Sequence, residues 1–255
     1  MASGRSTRTI SMTSAIIYFV ISLVINSAGN VLTLVSSAKV NPSFLGSAYW
    51  TAAESNLGKA LLGPNNPTAL FWAFFGLGLV ITFLNMILVG KWSWNRLIGN
   101  ICFLGPFSIL IQVFSNFFNQ VFPVAHGIGM TIFYVILNFA GVACIGLAIS
   151  IYQRVNIALH PADDLMQILR FKYCNGSATK AMWFSYIPPT IMAIIAALIT
   201  PGPLLVKFAN FGLGTVFAFL FQGSITGISD TKVFPSLKHQ AIDVGAVGET
   251  DKDAK

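Results

Sequence analysis

A helical bundle that spans a membrane is the fold class this sequence predicts, and three observations predict it. Of its 255 residues, 55% are hydrophobic and only 9% are charged, whereas a soluble domain carries about 25% charged residues. The charges also avoid long stretches: none falls in 9–38, only Lys91 and Arg96 fall in 60–153, and only Lys207 falls in 181–229. Finally, the uncharged stretches divide into six apolar runs, each near the ~20 residues a helix needs to cross ~30 Å of hydrocarbon. A soluble enzyme or a disordered chain is excluded by the same arithmetic.

The first run, Ser14–Val35, follows Arg5 and Arg8 in the manner of a secretory signal. Its apolar length exceeds the roughly 7–15 residues of a cleavable signal, so it is expected to be a retained helix. The remaining runs are Ala69–Val89, Ile98–Phe118, Met130–Ile151, Ala181–Ile199 and Phe208–Ile225. Together they define one membrane domain over 1–228. The segment 229–255, ending GETDKDAK, is polar and of mixed charge, and is expected to be a disordered cytoplasmic tail.

Lys and Arg divide unevenly between the two sides. With the N-terminus inside, Arg5, Arg8, Lys91, Arg96, Arg154, Arg170, Lys172, Lys180, Lys232, Lys238, Lys252 and Lys255 are cytoplasmic, and Lys39, Lys59 and Lys207 are not. The positive-inside rule therefore places both termini in the cytoplasm. The net charge of +7 forms no basic stripe with interleaved aromatics, so no nucleic acid is expected as partner. Cys102, Cys144 and Cys174 are too widely spaced for a zinc site or a disulfide framework and read as small core residues. No Walker A, GxSxG or HExxH pattern occurs, and no cofactor, metal or catalytic activity is expected.

The two halves echo each other. Val40-Asn41 and Val155-Asn156 each follow the first run of a half, and each precedes a more polar insert. Asn100 and Gln112 match Asn210 and Gln222 at a constant offset. Three spans per unit is an odd number, so the second copy is expected to be inverted: repeat 1 over about 14–118 and repeat 2 over about 130–225. Inverted repeats recur in secondary transporters, whose sites lie at the repeat interface.

The stretch VNIALHPADDLMQIL resembles the Gly-Pro-x-Asp-x-Leu segment of YczE/YyaS/YitT-type bacterial integral membrane proteins. Pro161, Asp163, Leu165 and Met166 fit that pattern, and His160 stands where Gly is usual. The first-half stretch VNPSFLGSAYW looks like a degenerate copy, with Gly46 and Ala48 in place of the Pro and Asp. The resemblance implies a multi-pass protein of the bacterial cell membrane, some members carrying a sugar-permease label.

His160 with Asp163 is the first candidate site. If the insert enters the protein, a carboxylate near a histidine couples flux to protons or cations; otherwise Asp163 or Asp164 caps the helix DLMQILRF. Glu54 lies in AYWTAAESNLGKALL, which reads as an amphipathic helix at the outer interface with Glu54 solvated. Trp50 is either an interface anchor or a stacking platform for a ligand. The amides Asn26, Asn30, Asn85, Asn100, Gln112, Asn116, Asn138, Asn210 and Gln222 either bridge helices or line a cavity for a neutral polar solute. Asn100, Gln112, Asn210 and Gln222 are the expected lining set. Gly76, Gly78, Gly105-Pro106, Pro188-Pro189, Gly212 and Gly214 mark close packing or gating.

The function expected is a permease for a small, uncharged, sugar-like polar solute, working by alternating access. Two rivals stay open: a substrate-capture subunit energised by a separate ATPase, and a membrane scaffold or regulator. Beyond the bilayer and the solute, a second copy of the chain or an ATPase would be its partner.

Overall fold

The computed structural model describes residues 9–64, 66, 68–240 and 244. Arg5, Arg8, Lys252, Lys255 and most of the segment after 240 lie outside the described residues. The chain forms α1 (Met12–Ala38), α2 (Tyr49–Leu62), α3 (Ala69–Val89), α4 (Trp94–Val121), α5 (Ile128–Val155), α6 (Pro161–Ile168), α7 (Ala178–Ser185), α8 (Ile187–Ile199), α9 (Leu204–Lys207) and α10 (Leu213–Lys232). A turn of π-helix, Leu169–Tyr173, continues α6. The described residues contain no strand.

Local chemistry sets these boundaries. Ser11 and Ser93 accept hydrogen bonds from the backbone N–H groups of Ser14 and Arg96, capping α1 and α4. Gly90 ends α3 in the left-handed region, and Asn156 does the same for α5. Pro188 and Pro189 have no N–H to return to the carbonyls one turn earlier, which is where α7 gives way to α8 at Tyr186.

Among the described residues, five segments are long and apolar enough to cross a membrane: α1, α3, α4, α5 and the joined stretch Ala178–Ile199. Their outer faces carry bare apolar side chains, with Ile87 75%, Ile128 80% and Leu198 77% exposed. A patch of that extent in water would be a liability, so these faces contact lipid. Cys102 faces outward as well, contrary to its expected core position; Cys174 is buried. α10 is 20 residues long but carries Gln222, Asp230, Lys232 and several Ser and Thr residues.

The centre of the bundle is the α1–α5 pair. The two helices run antiparallel: Asn26 meets Tyr152, and Thr33 and Ser36 meet Asn138. They cross where two glycines face each other. A Cβ on Gly29 would lie 2.7 Å from the carbonyl oxygen of Gly141, and one on Gly141 would lie 2.8 Å from that of Gly29. Gly141→Ala is therefore expected to lower the unfolding free energy by about 1–3 kcal/mol, the usual cost of overpacking. Gly76→Ala, where nothing lies within 4 Å, is expected to cost nothing. Reversible unfolding in detergent micelles measures both, and equal effects would contradict the crossing.

Around this pair the remaining helices are arranged alike in each half. α4 flanks α1, and α10 flanks α5; α3 packs on α4, and α7 on α10. The short helix α2 packs on α3 and α8, while α6 packs on α7 and α3.

The segment expected to be a disordered tail from 229 onward is folded as far as Gln240. Residue 229 lies inside α10, and the chain beyond it folds back over the end of α5. Arg154, 1% exposed, gathers it. Its guanidinium donates to the carbonyl oxygens of Val233 at 2.8 Å, Phe234 at 3.0 Å and Leu237 at 3.2 Å. Arg170 pairs with Asp230 at 2.7 Å, and the Gln240 N–H donates to the Arg154 carbonyl at 2.8 Å. Spacing alone gave no sign that an arginine at a helix end would bind the chain that follows the last helix.

Candidate functional site

Each half contains an extended stretch that leads into a short helix beginning inside the protein. In the first half this stretch lies along the start of α10. The Ser47 N–H donates to the Asn210 carbonyl at 2.8 Å, and the Leu213 N–H donates to the Phe44 carbonyl at 2.8 Å. Asn138 of α5 adds a bond to the Gly46 carbonyl at 2.8 Å. The chain then turns into α2. In the second half, residues 156–160 pass Gly99 of α4 and lead into α6, with Pro161 at its first turn. Proline suits that position because its missing N–H has no intrahelical partner there.

The cap of α6 is His160, not Asp163 or Asp164. Its Nδ1 accepts from the Ala162 N–H at 3.3 Å. Burial holds the ring's pKa below the ordinary histidine value. The imidazole is thus neutral and carries its proton on Nε2. That Nε2 is buried and has no hydrogen-bond partner among the described residues. The ring packs edgewise against Phe103 and Phe107.

The starts of α2 and α6 border one cavity of about 30 Å³, room for one or two waters. Trp50, Thr51 and Glu54 enter it from α2, His160 and Asp163 from the second insert, Asn26 and Asn30 from α1, and Gln222 from α10. The helices expose the positive ends of their dipoles on this side, which favours the Asp163 carboxylate in the first turn of α6.

Glu54 is 1% exposed, so the expected solvated surface position is overturned. The whole segment Thr51–Gly58 is buried, because α2 lies between α3 and α8 rather than on the outer interface. Glu54 Oε1 has no hydrogen-bond partner among the described residues. Desolvation is the main cause that raises its pKa well above the ordinary carboxylate value, and the nearby charge of Asp163 adds to it.

A one-way hydrogen-bond chain joins the two inserts. The Thr51 hydroxyl donates to Asn30 Oδ1. Asn30 Nδ2 donates to Asn26 Oδ1, and Asn26 Nδ2 donates to the Tyr152 hydroxyl at 2.7 Å. That hydroxyl in turn donates to Asp163 Oδ2. Such chains polarise in one direction and end best on an anion. Burial raises the Asp163 pKa, against the lowering effect of the Tyr152 bond.

The adjacent carboxylate has a different task. Asp164 Oδ2 receives Arg96 Nε at 2.8 Å, Asn85 Nδ2 at 3.3 Å and Asn100 Nδ2 at 3.4 Å. Asp164 is 2% exposed and ties α6 to α3 and α4.

Of the expected residues, Trp50, His160, Asp163 and Gln222 meet in the cavity. Asn100 belongs to the Asp164 cluster and does not border the cavity. Asn210 donates to Asn56 Oδ1 at 2.7 Å and to Ser55 Oγ at 3.1 Å, fixing the approach to α10. Gln112 donates to Asn116 along α4 at 3.0 Å. Equal spacing gave these residues equal offsets, but it does not set the rotation of each helix. Glu54, Thr51 and Tyr152 were not among the expected site residues. A signal for Asn26 was present: Asn26-Ser27-Ala28-Gly29 and Asn138-Phe139-Ala140-Gly141 share the pattern N-x-A-G, and their glycines are the ones that meet at the α1–α5 crossing.

This arrangement defines a polytopic helical membrane protein with buried carboxylates at the junction of two insert helices. The chain belongs to a family of unknown function (DUF6198), whose profile matches residues 13–231. No curated protein and no solved structure matches it.

Proposed function

We propose that the protein is a secondary transporter: a permease for a small, uncharged, sugar-like polar solute that works by alternating access. One observation carries this reading. The buried cavity draws polar side chains from both inserts and from α1 and α10, and His160 Nε2 and Glu54 Oε1 in its lining have no protein partner among the described residues. A donor and an acceptor left open in this way suit a neutral hydroxylated ligand. The cavity is smaller than a hexose, so passage requires the starts of α2 and α6 to move apart.

On this reading α10 is the sixth span, and residues 14–118 and 130–225 are inverted copies. The reciprocal packing, the shared N-x-A-G pattern and the facing glycines support the repeat, because equivalent residues of a two-fold pair meet at its axis. The site then lies at the repeat interface, where inverted-repeat transporters hold their substrates. The uneven division of basic residues supports an orientation with both termini in the cytoplasm. The resemblance of VNIALHPADDLMQIL to YczE/YyaS/YitT-type proteins supports the same reading.

Equilibrium counterflow in proteoliposomes, run with labelled sugars and polyols, tests it. The expected result is saturable exchange of at least one solute, weakened by Trp50→Ala and by Gln222→Ala. Absence of exchange, together with copurification of an ATPase, would favour the capture-subunit reading instead.

A further inference from the structure

Resting on the reading of the cavity as the transport site, we propose that Glu54 and Asp163 act as one proton-binding pair, so that the solute moves together with a proton. The two carboxyls come from opposite inserts and border the same cavity. No described cation stands between them. Arg96 is engaged with Asp164, and Lys59, further along α2, does not line the cavity. His160, with Nδ1 3.9 Å from Asp163 Oδ2, already accepts the Ala162 N–H and is neutral. The other titratable groups near the pair are Tyr152, which donates to Asp163, Tyr186, and the neighbouring Asp164, whose charge adds to the raising of the Asp163 value. α3 and α8, packed on α2, bring no ionisable side chain to Glu54.

Two carboxylates that share a small buried volume without a counter-cation do not both ionise; they hold one proton between them. The pair is also unequal. Asp163 receives the end of the Thr51–Asn30–Asn26–Tyr152 chain and is the better seat for the negative charge. Glu54, with Oε1 unpartnered, is the better seat for the proton. Opening the cavity to one side lets water take that proton from Glu54, leaving two carboxylates that repel. The second insert is then driven from the first until a proton returns. Proton and charge balance at each step: one proton leaves the pair as hydronium, and one comes back from the opposite side.

Infrared spectroscopy of the intact purified protein tests this without a known solute. A protonated-carboxyl C=O stretch is expected to persist at neutral pH and to disappear on alkaline titration. Glu54→Gln is expected to remove it, and Asp163→Asn to shift its midpoint, since the repelling partner is gone. The sign of the accompanying stability change follows from the raised values. The folded protein binds more protons than the unfolded chain, so this contribution is fully present in acid and is lost as pH rises through the raised pKa. The fall in Tm with rising pH should therefore flatten in both variants, each of which keeps the volume of the native side chain. A neutral-pH protein with no such band, a band unmoved by either substitution, or a band abolished by adding sodium at constant pH would overturn the pair. A titrating band of the expected behaviour in a protein that shows no counterflow would leave the pair standing and remove the transport reading.

Discussion

Asp164→Asn is expected to cause the largest loss of stability of any conservative change in the chain. The carboxylate is buried, and it is the common acceptor for Arg96, Asn85 and Asn100. An amide keeps the volume and can set its own oxygen before the three donors, but it removes the charge that pairs with Arg96. Arg96, with an 11% exposed side chain, would be left without this counter-charge. Breaking a buried pair from one side costs about 3–5 kcal/mol. The loss should appear as a large drop in Tm in detergent and as reduced yield of monodisperse protein. Because this oxygen helps tie α6 to α3 and α4, the variant should also expose the second insert to proteolysis. A Tm within a degree or two of the wild type would show that the pair does not hold the insert.

Asp163→Asn is expected to do the opposite: to spare the fold and abolish concentrative uptake. The Tyr152 hydroxyl can donate to an amide oxygen as it does to a carboxylate, so the chain from Thr51 keeps its last link. What is lost is the site of negative charge. Coupled uptake needs that charge to stand opposite Glu54, so that loss of the Glu54 proton drives the inserts apart, whereas exchange of solute for solute does not. Uptake against a gradient should therefore fall to background while counterflow continues. Loss of both activities with normal folding would assign Asp163 to solute binding. Retention of both would remove it from the mechanism. The helix-cap reading of this residue predicts almost no effect, since Asn caps nearly as well as Asp, and the observed cap is His160.

The membrane-spanning helices were legible because hydrocarbon imposes a length and a composition that nothing else in the sequence mimics. Ala69–Val89, read from the apolar run alone, is α3 to the residue. The second insert was legible for a local reason: Pro161 and the acidic pair mark a helix start. The first insert was misread because its burial is tertiary. AYWTAAESNLGKALL has the pattern of a surface helix, and only the packing of Gly58 on Ala73 and the closeness of α3 and α8 put Glu54 inside. Asp163 and Asp164 are neighbours in sequence with different partners, Tyr152 and Arg96, which come from helices of different halves. No window of sequence contains that distinction. The folding back of residues 233–240 was hidden for the same reason, since its anchor, Arg154, lies 80 residues upstream of Phe234.

Alternating access through this cavity is tested most directly by a single cysteine at Ala162, which is 5% exposed and lines the cavity without bonding through its side chain. Cys102, Cys144 and Cys174 are first replaced by Ser or Ala, and the protein is reconstituted in one orientation. A membrane-impermeant thiol reagent is then applied from either side, at acid and at alkaline pH. The cysteine is expected to react from both sides, with pH shifting reactivity from one side to the other, and the Asp163→Asn background is expected to lose this shift. Reactivity confined to one side at every pH, or absent from both, would contradict alternating access.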